Sequence, residues 1–327
     1  MIEHTAGRRG RRRLIWIIGG KESMDRYASL FRELSRTCPD LELRAEEPMS
    51  RHTTFRIGGP VRLMALPRTE EDAKKAVRVA LQHDIHPFYM GNGSDLLVSD
   101  QGYEGFIIKA VDGLGSLEHH DNIITAGSGV LLSRLSSFAM DKGLSGLEFA
   151  HGIPGSVGGA VTMNAGAYDG EMKAVVRSVR CLTAEGQEET VAGDDLDFSY
   201  RHSAFQDESR LILSAEMELK PGDSGDIKAL MDDFGNRRRH KQPLDLPSAG
   251  SVFKRPKGYF AASLIDECKL KGRTVGGAQV STKHAGFIVN LGNATCSDVL
   301  TLANEVRETV LRETGVELEL EVRTLGV

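Results

Sequence analysis

The 327-residue sequence predicts an α+β protein built from more than one domain. Three observations carry that prediction. A strand–helix–strand pattern occupies residues 61–90. Short strand-like pieces separated by turns, with a single helical pattern among them, fill residues 102–220. A long helical pattern over 297–313 is followed by a strictly alternating segment, 316–322. Periods of 3.6 and 2 thus succeed one another along a chain long enough for about two or three domains.

The chain opens with Arg8, Arg9, Arg11, Arg12 and Arg13 ahead of Leu14-Ile15-Trp16-Ile17-Ile18. Basic-then-apolar is the order of a signal peptide, but the apolar run is short and no small-residue cleavage site follows. It is also too short to span a bilayer. Residues 1–23 are expected to form a disordered arm, with Met24 as an alternative start. Residues 69–84 read as a helix, because Ala73, Ala76, Val77, Ala80 and Leu81 share one face, Thr69 caps the start, and Glu70, Glu71 and Asp72 occupy the first turn. Strands are expected at 61–66 and 87–90 on either side. Further strands are expected at 105–109, 122–126, 178–183 and 211–215, and a helix at 131–142 that stops at Gly143. Pro221-Gly222-Asp223-Ser224-Gly225 marks a boundary. Beyond it come a charged helix at 226–240, a loop at 242–258 and a helix at 297–313 ended by Gly315. The alternation at 316–322 predicts a half-buried strand. These patterns divide the chain into 24–101, joined by 316–327, then 102–220 and 221–315.

With 40% hydrophobic and 27% charged residues the composition is that of an ordinary globular protein, and a net charge of −5 gives no pull toward nucleic acid or anionic membrane. Cys38, Cys181, Cys268 and Cys296 are far apart and form no C-x-x-C pair, which fits reduced thiols in a cytoplasmic protein and no metal site.

The most informative stretch is Gly152-Ile153-Pro154-Gly155-Ser156-Val157-Gly158-Gly159-Ala160, followed by Asn164-Ala165-Gly166. Glycines interleaved with apolar residues describe buried backbone around a flat or anionic ligand, although a glycine run alone is also what turns look like. Gly91-Asn92-Gly93-Ser94-Asp95-Leu96 follows a predicted strand. Successive N–H groups in such a turn form an anion-binding nest suited to a pyrophosphate. Neither run is a Walker loop or a Rossmann fingerprint. In the loop after 242, Gly250 leaves room beside Ser251, and Lys254 and Arg255 are cations suited to a diphosphate. No histidine or Gly-x-Ser-x-Gly frames Ser251, which argues against a hydrolase triad and leaves proton delivery to a basic carbanion. Arg201, among aromatics, is able to grip a carboxylate, though a surface ion pair is the commoner fate of such a residue. Glu317, Glu319 and Glu321 share one face of the last predicted strand, with at least two of them expected in solvent.

Taken in order, Thr53-Thr54-Phe55-Arg56-Ile57-Gly58-Gly59, the Gly91 loop, residues 143–168, Tyr200-Arg201, residues 247–254, Gly276-Gly277-Ala278-Gln279-Val280-Ser281, His284-Ala285 and Glu321-Val322-Arg323 resemble the UDP-N-acetylenolpyruvoylglucosamine reductases, flavoenzymes of cell-wall precursor synthesis. The resemblance begins near Arg51 and does not cover the arginine arm. It implies an FAD-binding fold of the vanillyl-alcohol-oxidase type with a C-terminal α+β substrate domain, in the compact second type that lacks an extra substrate-covering loop. It implies NADPH as reductant and a UDP-sugar as substrate. Catalysis would fall to Arg201, Ser251 and Glu321. FAD would be held by Arg56, Ile57, Gly91, Asn92, Gly93, Ser94, Asp95, Leu96, Gly152, Ile153, Gly155, Ser156, Gly158, Gly159, Asn164 and Gly166, and the substrate by Tyr200, Lys254, Arg255 and Gln279. Asp95 departs from the family's commoner asparagine, and a carboxylate beside pyrophosphate would repel it, so Asp95 is expected to point away or to bond backbone N–H groups. His151 lies near the expected flavin, but a covalent link is not expected. A monomer or weak oligomer is expected. The competing readings are another FAD-dependent oxidase of this fold acting on an alcohol or sugar, and a non-catalytic nucleotide-binding protein.

Overall fold

A computed structural model describes residues 25–111, 113–206 and 210–327. The arginine-rich arm and Met24 lie outside the described residues.

Helix α1 (Arg26–Thr37) starts at Asp25, whose carboxylate accepts from Tyr27 N, and buries Leu30 and Leu34. Then follow β1 (Glu42–Pro48), β2 (Pro60–Leu66), α2 (Glu70–Gln82), β3 (Phe88–Met90), β4 (Leu96–Val98) and β5 (Tyr103–Lys109). Thr69 caps α2 by accepting from Asp72 N at 3.1 Å. Ala73, Ala76, Val77 and Ala80 of α2 are fully buried, the face expected from their spacing. The four-stranded sheet runs β1-β2-β5-β3. The strand–helix–strand unit is therefore present, but its strands are not neighbours: β5 inserts between them, parallel to both. Phe106-Ile107-Ile108 of β5 is wholly buried, as a central parallel strand requires.

The next unit contains β6 (Leu117–His120), β7 (Ile123–Gly127), α3 (Leu132–Asp141), β8 (Leu144–Ser145), α4 (Val157–Thr162), β9 (Gly166–Ala167), β10 (Gly170–Glu171), β11 (Val176–Leu182), β12 (Glu188–Ala192) and β13 (Leu211–Glu218). Its antiparallel sheet runs β12-β11-β13-β7-β6. Helix α4 is not legible in the sequence, because Gly158 and Gly159 each disfavour helix by about 1 kcal/mol. Burial overrides that cost: Val157, Ala160 and Val161 join the core beside Leu132 and Ala126.

Strand β14 (Lys220–Pro221) pairs with β8 and leads into α5 (Ser224–Lys241). The last unit holds α6 (Ala261–Glu267), β15 (Thr274–Val275), β16 (Ala278–Val280), β17 (Ile288–Asn290), α7 (Cys296–Thr314) and β18 (Arg323–Leu325). A capping box between Thr295 and Asp298 starts α7, and Gly315 at φ 72° ends it.

The strand expected over 316–322 is not formed. Burial does alternate there, with Leu318 and Val322 inside, but the neighbour is an irregular loop. The contact is reduced to one bridge, Phe253 to Leu320, flanked by Lys254 N donating to Glu319 O and Glu321 N donating to Val252 O. The ladder begins only at β18, which runs parallel to β4 and returns the chain to its first unit.

The units are tied together by buried groups. Phe55, Ile57 and Leu97 share an apolar cluster with Val299, Leu302 and Val306 of α7. Asp100 accepts from Cys296 N at 2.7 Å and Ser297 N at 3.1 Å at the start of α7. Asn290 donates to Phe55 O at 3.0 Å and accepts from Gly292 N and Ala294 N. Asn290→Ala leaves those buried groups unpaired and is expected to lower stability by about 2–4 kcal/mol in chemical denaturation.

Candidate active site

Where the three units meet lies a cavity of ≈ 700 Å³, within the roughly 300–1,000 Å³ typical of small-molecule sites. One wall is the Gly91 loop, placed at the exit of β3. Gly93 stands at φ 63°, and a Cβ there would come within 2.4 Å of His52 O. Only glycine fits that turn, and a left-handed residue in such a loop is what an anion-binding nest of N–H groups uses. Asn92 Nδ2 donates to Pro154 O at 2.7 Å and so fastens this loop to the second glycine run. Ile153, Gly155, Ser156, Gly158, Gly159 and Gly166 supply the facing wall.

The cavity carries unmet polar capacity. The buried hydroxyls of Ser128 and Ser156, both on its wall, have no hydrogen-bond partner among the described residues. Buried hydroxyls are normally bonded, so these two fit a polar ligand. Arg56, Arg201, Arg210, Arg238 and Arg323 also line it, against Asp95, Asp245 and Glu321. Orphaned hydroxyls, an N–H nest and an excess of cations suit an elongated anionic molecule with a flat part. FAD has that chemistry.

The reactive end is assembled from distant segments. Arg201 sits in a tight turn in which Ser199 and His202 exchange backbone hydrogen bonds. Its φ of 55° is a left-handed conformation uncommon for a side-chain-bearing residue. Its Nε donates to Glu321 Oε1 at 2.6 Å. The Glu321 side chain is only 14% exposed. Burial raises its pKa, while Arg201 and Lys254 oppose the rise. By contrast the side chains of Glu317 and Glu319 are 76% and 72% exposed, the solvated pair expected of this face. Ser251 lines the cavity, and its hydroxyl makes no hydrogen bond among the described residues. Gly250 precedes it at φ 76°, with open space where a Cβ would project. The backbone angle, not lack of room, requires glycine at that position.

Several expected ligand-binding residues lie elsewhere. Ile57 is buried in the α7 core. Asn164 is fully buried and structural, donating to Ser199 O and accepting from Lys173 N. Gln279 on β16 donates to Thr274 Oγ1 and Gly272 O and lines neither cavity. Lys254 and Arg255 line a second cavity of ≈ 540 Å³. Exposed Tyr200 accepts from Arg255 N at 3.0 Å. His151 does not line the main cavity, although its Nδ1 is buried and has no hydrogen-bond partner among the described residues. Gly152 lines it but is pressed on Arg238, where a Cβ would lie 2.5 Å from Cδ.

Arg238 is the residue that sequence reasoning missed. Its Nε is buried and has no hydrogen-bond partner among the described residues, and its guanidinium lies 5.6 Å from the Tyr168 ring, itself stacked on Phe234. Burial lowers its pKa from the ordinary arginine value. The signal was phase: Ile227, Met231, Phe234 and Arg238 follow i, i+4, i+7, i+11 on α5, which singles out one arginine of the Arg237-Arg238-Arg239 run as inward. Among the described residues there is no cluster able to hold a metal ion and no helix long and apolar enough to cross a membrane.

The comparisons with known proteins agree with this geometry. Residues 61–192 match the family model of an FAD binding domain. Residues 242–325 match that of the C-terminal domain of UDP-N-acetylenolpyruvoylglucosamine reductase. The chain is 48% identical over 307 residues to the UDP-N-acetylenolpyruvoylglucosamine reductase of Agathobacter rectalis, covering 90% of this chain and 98% of that one. It is 45% identical to the Clostridioides difficile enzyme of the same name, covering 93% and 99%. The crystal structure of the Thermus caldophilus enzyme superposes with a TM-score of 0.74 at 34% identity, covering 87% of this chain and 98% of that one. The chain belongs to the UDP-N-acetylenolpyruvoylglucosamine reductase family.

Proposed function

We infer that this chain is the FAD-dependent reductase that uses NADPH to convert the enolpyruvyl ether of UDP-N-acetylglucosamine into UDP-N-acetylmuramate. The observation that carries the reading is the meeting of Arg201, Ser251 and Glu321, from three separate regions of the chain, on the cavity walled by both glycine runs. Bound there, FAD would supply the hydride chemistry, between NADPH as reductant and the vinyl CH2 carbon of the substrate. The Gly91 loop and Ser156 are the groups that would hold its pyrophosphate, and residues 153–166 would face its ring.

The protein's own residues then manage charge and one proton. As hydride reaches the CH2 carbon, the electron pair of the double bond moves to the adjacent carbon and into its carboxylate. Arg201, already turned inward by its pairing with Glu321, stabilises that developing charge. Glu321, whose carboxyl is pushed toward its neutral form by burial, donates to the same anion. The free hydroxyl of Ser251 delivers the proton to the carbon, completing addition of H2 across the bond. Lys254 and Arg255, on the second cavity beside Tyr200, would be the cations for the UDP diphosphate. The protein acts in the cytoplasm as a monomer or weak oligomer.

Two substitutions test this. Ser251→Ala is expected to leave flavin reduction by NADPH intact and to slow reoxidation by the sugar nucleotide by about 10²–10⁴-fold in stopped-flow absorbance. Equal loss in both half-reactions, or in neither, removes Ser251 as proton donor. Gly93→Ala forces a side chain against His52 O. The variant is expected to be purified depleted of flavin, with FAD affinity lowered by at least about tenfold, since the nest cannot form.

A further inference from the structure

Away from the reactive end, three ionisable side chains form one chain of contacts against the Gly91 loop. Glu47 lies near the end of β1, His52 follows the turn Met49–Arg51, and Lys109 ends β5. His52 Nε2 lies 3.0 Å from Glu47 Oε1, and Lys109 Nζ lies 3.2 Å from His52 Nδ1. The side chains of His52 and Glu47 are 6% and 12% exposed. None of the three lines either cavity.

The donors and acceptors decide where the ring proton sits. A lysine ammonium has protons to give and no lone pair to accept with. His52 Nδ1 therefore accepts from Lys109, the ring proton is on Nε2, and Nε2 donates to Glu47. An imidazolium would set its Nδ1–H against the ammonium, two like charges 3.2 Å apart with no acceptor between them. Arg44 and Arg51 pair with the same Glu47 oxygen at 3.1 and 4.0 Å. Burial, with the Lys109 and Arg44 charges, lowers the His52 pKa against the pull of Glu47.

Both ends of the cofactor loop are tied to this chain. Lys109 stands opposite Met90 in the β3–β5 ladder, and Met90 is the residue before Gly91. Ala110 N, next to Lys109, donates to Met90 O at 2.9 Å. On the other side the His52 carbonyl closes on Gly93, so tightly that a Cβ there would collide with it. Thr54 N, two residues on, donates to Gly93 O at 3.1 Å. The strand that delivers Gly91 is thus held beside Lys109, and Gly93 is gripped by the turn that carries His52. The bond between His52 and Lys109 joins the two holds.

We propose that Glu47, His52 and Lys109 are positioning residues for FAD, and that the bond from Lys109 to a neutral His52 keeps the Gly91 loop in the shape that receives the pyrophosphate. The proposal rests on the reading of that loop as the pyrophosphate seat. Glu47 fixes the ring through Nε2, which leaves the Nδ1 lone pair for Lys109. A proton on Nδ1 breaks that bond and separates the two holds, so the loop loosens as pH falls through the His52 titration.

The test follows FAD release from diluted holoenzyme by the rise of flavin fluorescence, between about pH 5 and about pH 8, with circular dichroism reporting that the protein stays folded. A histidine whose pKa is lowered by its surroundings takes its proton only below the ordinary value of about 6.5. Wild-type release is therefore expected to be slow and constant above about pH 6.5 and to accelerate below the His52 titration, by up to roughly tenfold per pH unit. His52→Gln keeps an oxygen to accept from Lys109 and an N–H for Glu47 but cannot ionise in this range, and its release is expected to show no such acid limb. The same limb in both proteins overturns the proposal. Lys109→Met removes the donor and is expected to release FAD at least about tenfold faster than wild type at about pH 7.5, with Lys109→Arg recovering part of the loss. Release from Lys109→Met at the wild-type rate overturns the proposal. A direct observation on wild type decides the matter even where that variant does not fold. In ¹⁵N NMR of the holoenzyme at about pH 7.5, His52 is expected to carry its proton on Nε2 and none on Nδ1, and a protonated Nδ1 overturns the proposal. A Gly93→Ala holoenzyme that retains FAD as wild type does overturns the reading of the loop itself, a result separate from those of the His52 and Lys109 variants.

Discussion

The ion pair between Arg201 and Glu321 is the contact on which the organisation of the site depends. It joins a strained turn of the middle unit to the C-terminal segment, across 120 positions of sequence. A half-buried ion pair is weak evidence of stability, since desolvation offsets much of its attraction. Its significance is positional. Arg201 adopts a left-handed backbone angle, and its guanidinium is paired with Glu321. Glu321 is there because its own N–H donates to Val252 O and Arg323, two residues on, pairs with β4.

Everything else supplies fixed surroundings for that pair. The parallel sheet delivers the Gly91 loop at a strand exit, the usual place for ligands in such sheets. Asn92 then fastens the loop to the second glycine run. The last unit is fixed from below by Asn290, Asp100 and the shared apolar cluster, and its Ser251 lines the same cavity as Arg201. Function thus arises at a junction where no single unit holds a complete site, and the walls carry both the anion-binding groups and the groups that control protonation.

Much of this was legible in the sequence, and the parts that were not share a physical cause. Thr69, Gly143 and Gly315 act locally, through caps and a left-handed turn, so the helices they bound were readable. The insertion of β5 between β2 and β3 is a long-range pairing that no local period encodes. Helix α4 contradicts the propensity of its glycines and exists because its core neighbours bury Val157 and Val161. The alternation of 316–322 encoded burial correctly but not a ladder, because the partner strand is absent. In the site, the glycine runs and the Arg201, Ser251 and Glu321 trio stood out by residue type. Ile57, Asn164 and Gln279 belong to motifs yet point into the core or a sheet, and motif membership does not record side-chain direction. Arg238 was hidden in a charged helix whose phase alone revealed its inward face.

The most direct test of this account is a double-mutant cycle of Arg201→Met and Glu321→Gln, measured on each half-reaction separately by stopped-flow. The account predicts that the two losses are strongly non-additive, with coupling of about 1–3 kcal/mol, and that they are confined to reduction of the sugar nucleotide. Additive losses, or equal losses in flavin reduction by NADPH, would show that the pair does not act as a unit at the reducing centre and would contradict it.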